Sequence, residues 1–446
     1  MTSSAKLIEV RPVGEGDPLE DPTLSRELAQ KYLIWDAFVG GQRRVDVHPL
    51  VLSHELHTAA VAAAEGVTRT ISRVAGLAHT DERERAVYNF HPDVTRLASA
   101  SLAGGDVASM MRVDLLLDEN GDWRACEINA DCPGGHNESL GLPRLARAAG
   151  FMAGANPTNV VEQLCARIKK LAELPEGGHG AVGLLFATGY AEDLQVCALL
   201  QRKLDEMGIK AILAAPTAPR ARRGQIVIGN TPVRVLYRYF PTEWMEGQKN
   251  VTGIVEAVAS GRLKTLTGFS HIYTQSKFAF TRAWHHGEAL DARDRAILHR
   301  HIPYSVDLLT VPREDLIENR ADWVVKRSMG RVGDQVFVGK LYAEDDWIPL
   351  VDEIREARAG GQVWLAQRFV RQRPIPTPWG DRYVTLGAYL QDGNFAGYFA
   401  RITRDSHVSH DALCVPVFHL PNLTNERGRG DSHGPTLSLT TREGAA

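Results

Sequence analysis

The pattern of apolar and polar positions predicts a β-hairpin in the first third of the chain. Two short apolar segments, residues 111–118 and 125–131, carry acidic or amide residues between apolar ones, and residues 119–122, Glu-Asn-Gly-Asp, are typical of a hairpin turn. The second segment leads into residues 132–138, which are rich in turn-forming and polar residues and indicate a loop. This pattern predicts two strands whose polar side chains gather on one face.

The polar residues of this hairpin are candidate ligands for a metal ion. Side chains two positions apart on a strand share a face, so Glu127 and Asn129 lie together, and Asp114 joins them if the strands pair. Oxygen ligands without His or Cys suit Mg²⁺, which takes few protein ligands and completes its shell with water and phosphate. Arg112 adds a cation on the same face. For each residue alone, the alternative is a solvated strand face.

Before and after the hairpin, the patterns are mostly helical. Residues 1–30 are polar with Pro and Gly and predict an irregular lead. The Ala-rich stretch 50–74 predicts a long helix that begins after Pro49. Residues 142–149 and 160–174 predict two further helices.

A Gly-rich linker over residues 175–181 opens a second unit. Its pattern is strand, helix, strand, which predicts a parallel sheet. The predicted strands are 181–187, 209–214, 226–228 and 233–239, and the predicted helix is 192–207, ended by Gly208.

The third stretch again mixes helices and strands, and its end is low in apolar residues. The predicted helices are 278–284 and 350–359, the latter beginning after Pro349, and the predicted strands are 323–326, 336–338, 363–367, 383–391 and 395–402, the last two joined at Asp392–Gly393. Residues 422–446 are rich in Gly, Ser, Thr and Arg and predict a disordered tail.

A glycine-bearing loop in this stretch carries candidate phosphate contacts. Lys326 ends the strand before the loop, and Gly330 and Gly333 let backbone N–H groups approach phosphate oxygens. The loop returns as a strand, whereas a Walker A loop continues into a helix. A plain two-glycine turn is the alternative.

Two more segments are candidates for a nucleotide. The strand end formed by Gln367, Arg368, Phe369 and Val370 could offer backbone groups to an adenine edge, and an ordinary edge strand explains it equally well. Lys277 stands at the start of an apolar helix, where the alternative is a solvated lysine.

Composition narrows the class of protein. The chain has 446 residues, 44% hydrophobic and 24% charged, with a net charge of −3, which predicts two or three domains and no general attraction to nucleic acid or membranes. The five cysteines include no Cys-x-x-Cys pair, which favours a reduced, cytoplasmic protein. We see no secretory leader and no apolar run of about 18 residues, so we expect no membrane span.

Taken in order, the motifs resemble the glutathionylspermidine synthase family. The specific ones are Arg-Val-Asp with Glu-Ile-Asn-Ala-Asp-Cys-Pro over residues 112–133, and the closing strands over 387–401. Residues 235–245, 274–277 and 325–333 resemble further family segments. Cys132 stands where the family has Thr.

The resemblance implies an α/β (α+β) fold, a circularly permuted ATP-grasp with an inserted Rossmann-like pre-ATP-grasp domain. It implies that residues 1–174 hold the N-terminal segment and the metal-binding half, 175–245 the pre-ATP-grasp βαβ domain, and 246–421 the nucleotide-binding half, with 422–446 as a tail.

The resemblance also implies an ATP-dependent carboxylate–amine ligase that acts through an acyl phosphate and releases ADP and phosphate. Its implied cofactors are ATP and Mg²⁺. Arg112 would stabilise the acyl phosphate or tetrahedral intermediate. The metal ligands would be Asp114, Glu127 and Asn129, and the ATP contacts Lys277, Lys326, Gly330, Gly333, Gln367, Arg368, Phe369 and Val370.

The acid substrate is expected against the loop after the metal ligands. Pro133, Gly134 and Glu138 lie there, with Gly134 offering a backbone N–H group and Glu138 facing a substrate cation or capping a helix turn. We also expect the hairpin to face Lys326 and the glycine loop from Gly330 to Gly333 across one cleft.

The expected partners are a small-molecule or peptide carboxylate and an amine co-substrate, with no nucleic acid and no membrane, and a homodimer stays open. Two other functions remain: an ATP-binding regulatory relative without turnover, and another Mg²⁺-dependent phosphotransfer or hydrolytic enzyme.

Overall fold

The computed structural model describes residues 7–175, 177–330, 335–406 and 412–422. Helices and strands are mixed throughout these ranges, as the sequence predicts. The α-helices are α1 (Pro22–Arg26), α2 (His54–Ala75), α3 (Glu82–Ala86), α4 (Pro92–Ala103), α5 (His136–Ala148), α6 (Val160–Ala172), α7 (Ala191–Glu206), α8 (Val251–Ala259), α9 (Ile272–Gln275), α10 (Phe278–His285), α11 (Ala292–His301), α12 (Arg313–Glu318) and α13 (Glu344–Ala359). In the same ranges, no helix has the length and apolar character that a bilayer crossing requires.

The strands form several separate sheets. They are β1 (Ile8–Val10), β2 (Phe38–Val39), β3 (Gln42–Arg43), β4 (Leu50–Leu52), β5 (Met110–Leu117), β6 (Trp123–Asn129), β7 (Ala181–Phe186), β8 (Ala211–Ala214), β9 (Arg220–Arg222), β10 (Gln225–Ile228), β11 (Thr231–Tyr239), β12 (Lys264–Leu266), β13 (Ser305–Asp307), β14 (Trp323–Arg327), β15 (Val336–Val338), β16 (Trp364–Arg368), β17 (Tyr383–Gln391), β18 (Asn394–Thr403), β19 (Leu413–Val415) and β20 (Val417–His419).

The predicted hairpin is confirmed and is part of a larger sheet, which we call the hairpin sheet. Strands β5 and β6 pair antiparallel, with Asp114 opposite Glu127 and Arg112 opposite Asn129. The order in the sheet is β19-β18-β17-β5-β6. Its strands therefore come from two widely separated parts of the chain.

One face of the hairpin sheet packs on the long helix α2. Val67 and Ile71 of that helix share a core with Val113, Leu115 and Leu386 of the sheet. Because side chains alternate along a strand, this packing turns the polar side chains of β5 to the opposite face. The apolar pattern on one face thus fixes where the polar residues gather on the other.

The predicted βαβ unit is also confirmed. Strands β7 and β8, which precede and follow α7 in the chain, pair parallel with each other, and β11 pairs parallel with β7. Gly208 follows α7 with a φ of 75°, the left-handed conformation that ends many helices. We call this the βαβ sheet; it also contains β9, β10 and β12.

A four-stranded sheet carries the predicted phosphate loop. Its order is β13-β16-β14-β15, and β14 pairs antiparallel with both β15 and β16. Trp323, Trp347 and Trp364 form its core with helix α13. We call it the Lys326 sheet after the residue near the end of β14.

The N-terminal lead is more ordered than the sequence predicts. Strand β1 pairs antiparallel with β4, and β20 pairs with β4 on its other side. Leu50, Val51 and Leu52 therefore form a buried strand, whereas the Ala-rich pattern predicts a helix from residue 50. The helix begins at His54, after Ser53 accepts a hydrogen bond from the backbone N–H of Leu56. Pairing with distant strands overrides the local helical pattern here.

Two other helix starts differ from the prediction. Helix α5 begins at His136. Gly135, directly before it, has a φ of 93°, a left-handed conformation that ends the loop and lets the helix start. Helix α13 begins at Glu344 and contains Pro349. A proline has no N–H group, so one carbonyl of the preceding turn lacks its donor. Pro349 is exposed, so water can hydrogen-bond to that carbonyl. The predicted tail beyond residue 422 lies outside the described residues.

Candidate active site

The polar face of the hairpin sheet borders a cavity of about 520 Å³. That volume is in the range of small-molecule sites, about 300–1,000 Å³. Its walls come from the hairpin sheet, from β14 and β16 of the Lys326 sheet, and from the first turns of α5 and α7. The cavity therefore lies where three units of the fold meet.

Arg112 and Arg401 are both fixed by one buried carboxylate. Arg112 donates from Nε to Oδ1 of Asp114 at 2.6 Å and from Nη2 to Oδ2 at 2.9 Å. Arg401 donates from Nη2 to the same Oδ2 at 2.7 Å. Asp114 is fully buried, so these pairs are little screened by solvent. Burial lowers the pKa of Arg112, but Asp114 outweighs burial and holds that pKa above its ordinary value.

The third donor of Arg112 ties it to the loop after the hairpin. Its Nη1 donates to the carbonyl of Gly134 at 2.7 Å, and the hydroxyl of Tyr389 donates to the same carbonyl. A Cβ at Gly134 would lie 2.5 Å from Oη of Tyr239, so the loop needs glycine at this position. The predicted use of the Gly134 N–H group by a substrate stays a prediction, and Pro133 is buried beside it.

Glu127 and Asn129 lie on the cavity wall beside these arginines. Nδ2 of Asn129 donates to Oε1 of Glu127 at 3.3 Å, and Nζ of Lys277 lies 3.1 Å from Oε2 of Glu127. Burial raises the pKa of Glu127, but Lys277, Lys326 and Arg401 outweigh burial and hold it well below its ordinary value. Glu127 is therefore a carboxylate at neutral pH.

Lys326 reaches the hairpin, so the expected proximity of the two parts is confirmed. Its Nζ donates to the carbonyl of Cys126 at 3.1 Å and to Oε1 of Gln367 at 2.7 Å. Burial lowers the pKa of Lys326. Lys277 also donates to the carbonyl of Gly330, which ties the start of the glycine loop to the same cluster. Gly333 lies outside the described residues.

The predicted adenine segment also borders the cavity. Gln367, Arg368, Phe369 and Val370 all line its wall. The side chain of Gln367 is held by Lys326 and by Ser305, and the N–H group of Phe369 donates to the carbonyl of Asp322 at 2.8 Å. Contact with adenine stays a prediction.

Glu138 lies in the first turn of α5 and borders the cavity from another side. It is only 8% exposed, and its Oε2 has no hydrogen-bond partner. Burial raises the pKa of Glu138 to about 8, and the nearby Asp36 and Glu192 add to the rise. A buried carboxyl without a donor is costly unless a ligand supplies one.

Several residues of the cavity were not predicted from the sequence. Arg401 lies in a segment that resembles the family, but the sequence predicts no role for it. Arg401 lies two residues after Phe399 on the same strand, so the two side chains share a face, and both line the cavity. This spacing is the signal from which the sequence could have identified Arg401. Asp36, Glu192 and Asp193 also line it, and no local pattern marks them.

Glu127 and Asn129 offer a carboxylate and an amide beside the cavity, the oxygen ligands that suit Mg²⁺, and their role as metal ligands stays a prediction. Both oxygens of Asp114 are already held by arginines, so its role as a ligand stays a prediction. Among the described residues, no group of three or more His, Cys, Asp or Glu side chains is placed to hold a metal. A site with few protein ligands leaves most positions to phosphate and water, as Mg²⁺ usually requires.

Comparisons with known proteins concern the family and the fold of the chain. A family model described as glutathionylspermidine synthase preATP-grasp matches residues 51–418. The structure of a glutathione synthetase-like effector from Globodera pallida, in its apo form, has a TM-score of 0.57 and 12% identity, covering 92% of this chain and 100% of that chain. This likeness concerns the fold alone.

Other comparisons are weaker. A putative gamma-glutamylcysteine synthetase from Methylobacillus flagellatus has a TM-score of 0.38 and 13% identity, covering 81% of this chain and 86% of that chain, which is too low to argue from. No curated protein matches the chain. The mixed α/β fold of ATP-grasp type is confirmed, while the circular permutation and the domain boundaries stay predictions.

Proposed function

Because the chain belongs to the glutathionylspermidine synthase preATP-grasp family, we propose that it is an ATP-dependent carboxylate–amine ligase. In this reaction ATP phosphorylates a carboxylate, an amine attacks the acyl phosphate, and ADP and phosphate leave. Such a reaction needs one cavity that holds a triphosphate, an acid and an amine together. The protein must position the reactants and stabilise the charge on the phosphate, and it contributes little covalent chemistry.

The meeting of Lys326 with the hairpin carries the proposal. Its Nζ donates to the carbonyl of Cys126, the residue before Glu127. A cation of the Lys326 sheet therefore lies beside the candidate metal ligands of the hairpin sheet. Lys277 reaches Glu127 from a third element. These contacts hold cations in place before a ligand arrives, which is the preorganised electrostatics that phosphoryl transfer exploits.

Each residue has a role in this proposal. Lys326 and Lys277 hold the phosphates of ATP, and Arg112 and Arg401 hold the acid substrate and the charge of its acyl phosphate. Glu127 and Asn129 would hold Mg²⁺, which neutralises phosphate charge when it is bound.

The rest of the nucleotide is assigned to the loop and the strand end. These residues are Gly330, Gly333, Gln367, Arg368, Phe369 and Val370.

The arrangement of the two arginines supports a carboxylate substrate. Both guanidinium groups line the cavity, and Asp114 fixes them so that they need not reorganise on binding. The effector with a similar fold is named for its likeness to glutathione synthetase, so we propose a small acid or peptide carboxylate as the substrate. No disulfide joins the cysteines of the described residues, which supports a reducing, cytoplasmic setting.

The test is a product assay that requires both co-substrates. The protein is incubated with ATP, Mg²⁺, hydroxylamine as the nucleophile, and L-glutamate, gamma-glutamylcysteine or glutathione as the acid. We expect ADP, phosphate and a hydroxamate that all depend on the acid. AMP as product, or ATP hydrolysis that ignores the acid, would indicate another Mg²⁺-dependent enzyme. ATP binding without any turnover would indicate a regulatory relative.

A further inference from the structure

A second cavity lies between helix α10 and strand β13, and the proposed function does not use it. Its volume is about 590 Å³, within the range of small-molecule sites, about 300–1,000 Å³. Its walls come from α10, from β13, from the end of α13 and from residues 86–89. Of the described residues that line it, none lines the cavity of the candidate active site. A molecule in this second cavity would therefore be held apart from the phosphates, the metal and the acid.

One face of α10 forms a wall of the second cavity. Phe278, Thr281, Arg282 and His285 line it, and their spacing places them on one side of a helix. Phe278 is buried, and His285 is exposed. The wall therefore runs from a buried, apolar end to a mouth at the surface of the protein.

Two aromatic rings add to this wall. Nε1 of Trp284 donates to the carbonyl of Pro303 at 2.9 Å, and its ring lies edge to face with the ring of Tyr304, with the centroids 5.2 Å apart. Both rings line the second cavity, although Tyr304 is 44% exposed. These contacts hold the rings in place before a ligand binds. Together with Phe278, they favour a ligand with a flat, apolar body.

Thr281 gives an independent sign that the second cavity takes a ligand. Its side chain lines the cavity and is only 6% exposed, and its buried Oγ1 has no hydrogen-bond partner. A hydroxyl can both donate and accept. A buried hydroxyl without a partner is costly unless a ligand supplies one. The ligand should therefore carry a polar group that reaches Thr281.

The charges around the second cavity favour an anion. Arg282, Arg358 and Asp307 line it. Arg358 donates to both oxygens of Asp307, at 3.1 and 2.6 Å, so this carboxylate is already paired. Arg282 donates from Nε and Nη2 to Glu84, at 3.0 and 2.6 Å, while its Nη1 makes no hydrogen bond within the described ranges. One guanidinium donor is thus left for a ligand.

We propose that the second cavity binds a small aromatic carboxylate. The ring packs against Phe278, Trp284 and Tyr304. The carboxylate accepts hydrogen bonds from the hydroxyl of Thr281 and from Nη1 of Arg282. The buried hydroxyl then gains the partner that it lacks. A cation is disfavoured, because it would meet two guanidinium groups and only one carboxylate, which is already paired.

The first test compares an aromatic carboxylate with its neutral amide on the wild-type protein. The probes are 2-naphthoate and 2-naphthamide, which share one flat ring system and differ in charge. Calorimetric titration should give a dissociation constant about tenfold or more higher for the amide, the scale of one charged hydrogen bond. Equal constants, or no binding of either probe, would overturn the proposal. The titrations contain no ATP, so their result does not depend on the ligase proposal.

Thr281→Val tests the position of the probe. The variant should bind 2-naphthoate about tenfold more weakly, because it lacks the hydroxyl that donates to the carboxylate. Its free energy of unfolding without ligand should not fall, because this hydroxyl has no partner to lose. A threonine with a purely structural role would lose stability instead. The matched control is Thr58→Val at an exposed position of α2, which should match the wild type in both measurements.

Ala86→Trp blocks the mouth of the second cavity without changing Thr281. Ala86 lines the cavity and is exposed, so the fold should tolerate a larger side chain there. We expect binding of 2-naphthoate to weaken about tenfold or more. The control for the added ring is Ala59→Trp, at an exposed position of α2, which should bind as the wild type does. Unchanged binding in both Ala86→Trp and Thr281→Val would place the probe elsewhere and overturn the proposal.

Discussion

Arg401 and Asp114 form an ion pair across a strand that lies between theirs. Nη2 of Arg401 is 2.7 Å from Oδ2 of Asp114, and strand β17 separates β18 from β5. Gly387 of β17 stands opposite Asp114 in the register. Because glycine has no Cβ, the side chains of Arg112 and Arg401 can meet the carboxylate over the middle strand.

We expect Gly387→Ala to damage this arrangement. The added Cβ would lie 2.6 Å from Cδ of Arg112 and 2.9 Å from the carbonyl oxygen of Phe399, and backbone on the second side cannot move away cheaply. Overpacking of this kind costs about 1–3 kcal/mol of unfolding free energy. Denaturant unfolding measures the loss, and ATP turnover should fall because Arg112 is displaced.

The matched control is Gly76→Ala. A Cβ at that position meets no atom within 4 Å, and the φ of −61° suits any residue. We expect an unchanged protein or a gain of up to about 1 kcal/mol. If Gly387→Ala is as stable and active as this control, the strand crossing does not need glycine.

Asp114→Asn should destabilise the fold strongly. As a candidate metal ligand, Asp114 is expected to be exposed in a cleft, where its replacement would leave folding near normal. That expectation is wrong, because the residue is fully buried between two arginines. An amide would leave Arg112 and Arg401 buried without a counter-charge, at about 3–5 kcal/mol. Denaturant unfolding measures this loss directly.

The control for Asp114→Asn is an exposed ion pair that is also formed by an aspartate and an arginine. Asp352 pairs with Arg313 through two contacts of 2.5 and 2.7 Å on the surface of the Lys326 sheet unit. Exposed pairs contribute about 0–1 kcal/mol, so Asp352→Asn should change little. Losses of similar size in the two variants would contradict the account of Asp114 as the anchor of the site.

Lys326→Met should weaken ATP binding and leave the fold intact. Methionine keeps the length and apolar stem of the side chain, but it removes the charged donor that reaches the hairpin. One hydrogen bond from a charged group is worth about 1.5–3 kcal/mol, so the dissociation constant for ATP should rise about 10- to 150-fold. Calorimetry measures it, with the exposed Lys170→Met as control. A constant equal to that of wild type would remove Lys326 from the nucleotide site.

The pH dependence of stability should carry the signature of Glu138. Its pKa is raised from 4.5 to about 8 by burial and by Asp36 and Glu192, while Arg112 opposes the rise. The folded protein therefore holds this proton more tightly than the unfolded chain does. The contribution of Glu138 to stability is present below pH 4.5 and is lost as the pH rises towards 8.

Glu138→Gln has no such titration, so the melting temperature of wild type should fall relative to that of the variant between pH 5 and 8.5. Asp193, whose pKa burial raises to about 6, titrates in both proteins and cancels in the difference. A difference in melting temperature that does not change with pH would show that Glu138 titrates normally.

Sequence patterns predicted the elements whose structure depends on neighbouring residues. The hairpin follows from its alternation and from the turn at Gly121, whose φ is 76°. The join between β17 and β18 follows from Asp392 and Gly393, which both have positive φ, as such tight turns require. Glu127 and Asn129 share a face for the same local reason.

Contacts between distant parts of the chain could not be predicted in this way. The short strand Leu50–Leu52 exists because two strands from opposite ends of the chain flank it. Asp36 lines the cavity. It lies shortly after residues 1–30, the predicted irregular lead, and no periodic pattern marks it. Arg401 meets Asp114 only because β17 joins the hairpin, a register that side-chain packing sets.

The origin of the hairpin sheet from two distant segments affects how the protein is made. Strands β5 and β6 leave the ribosome long before β17, β18 and β19, and residues 287 positions apart form the pair of Asp114 and Arg401. Until the late strands arrive, β5 has an open edge on which a second nascent chain could pair. Such long-range pairing is slow. A chain released before Arg401 therefore cannot complete the site, so partial translation products would be inactive and prone to aggregate.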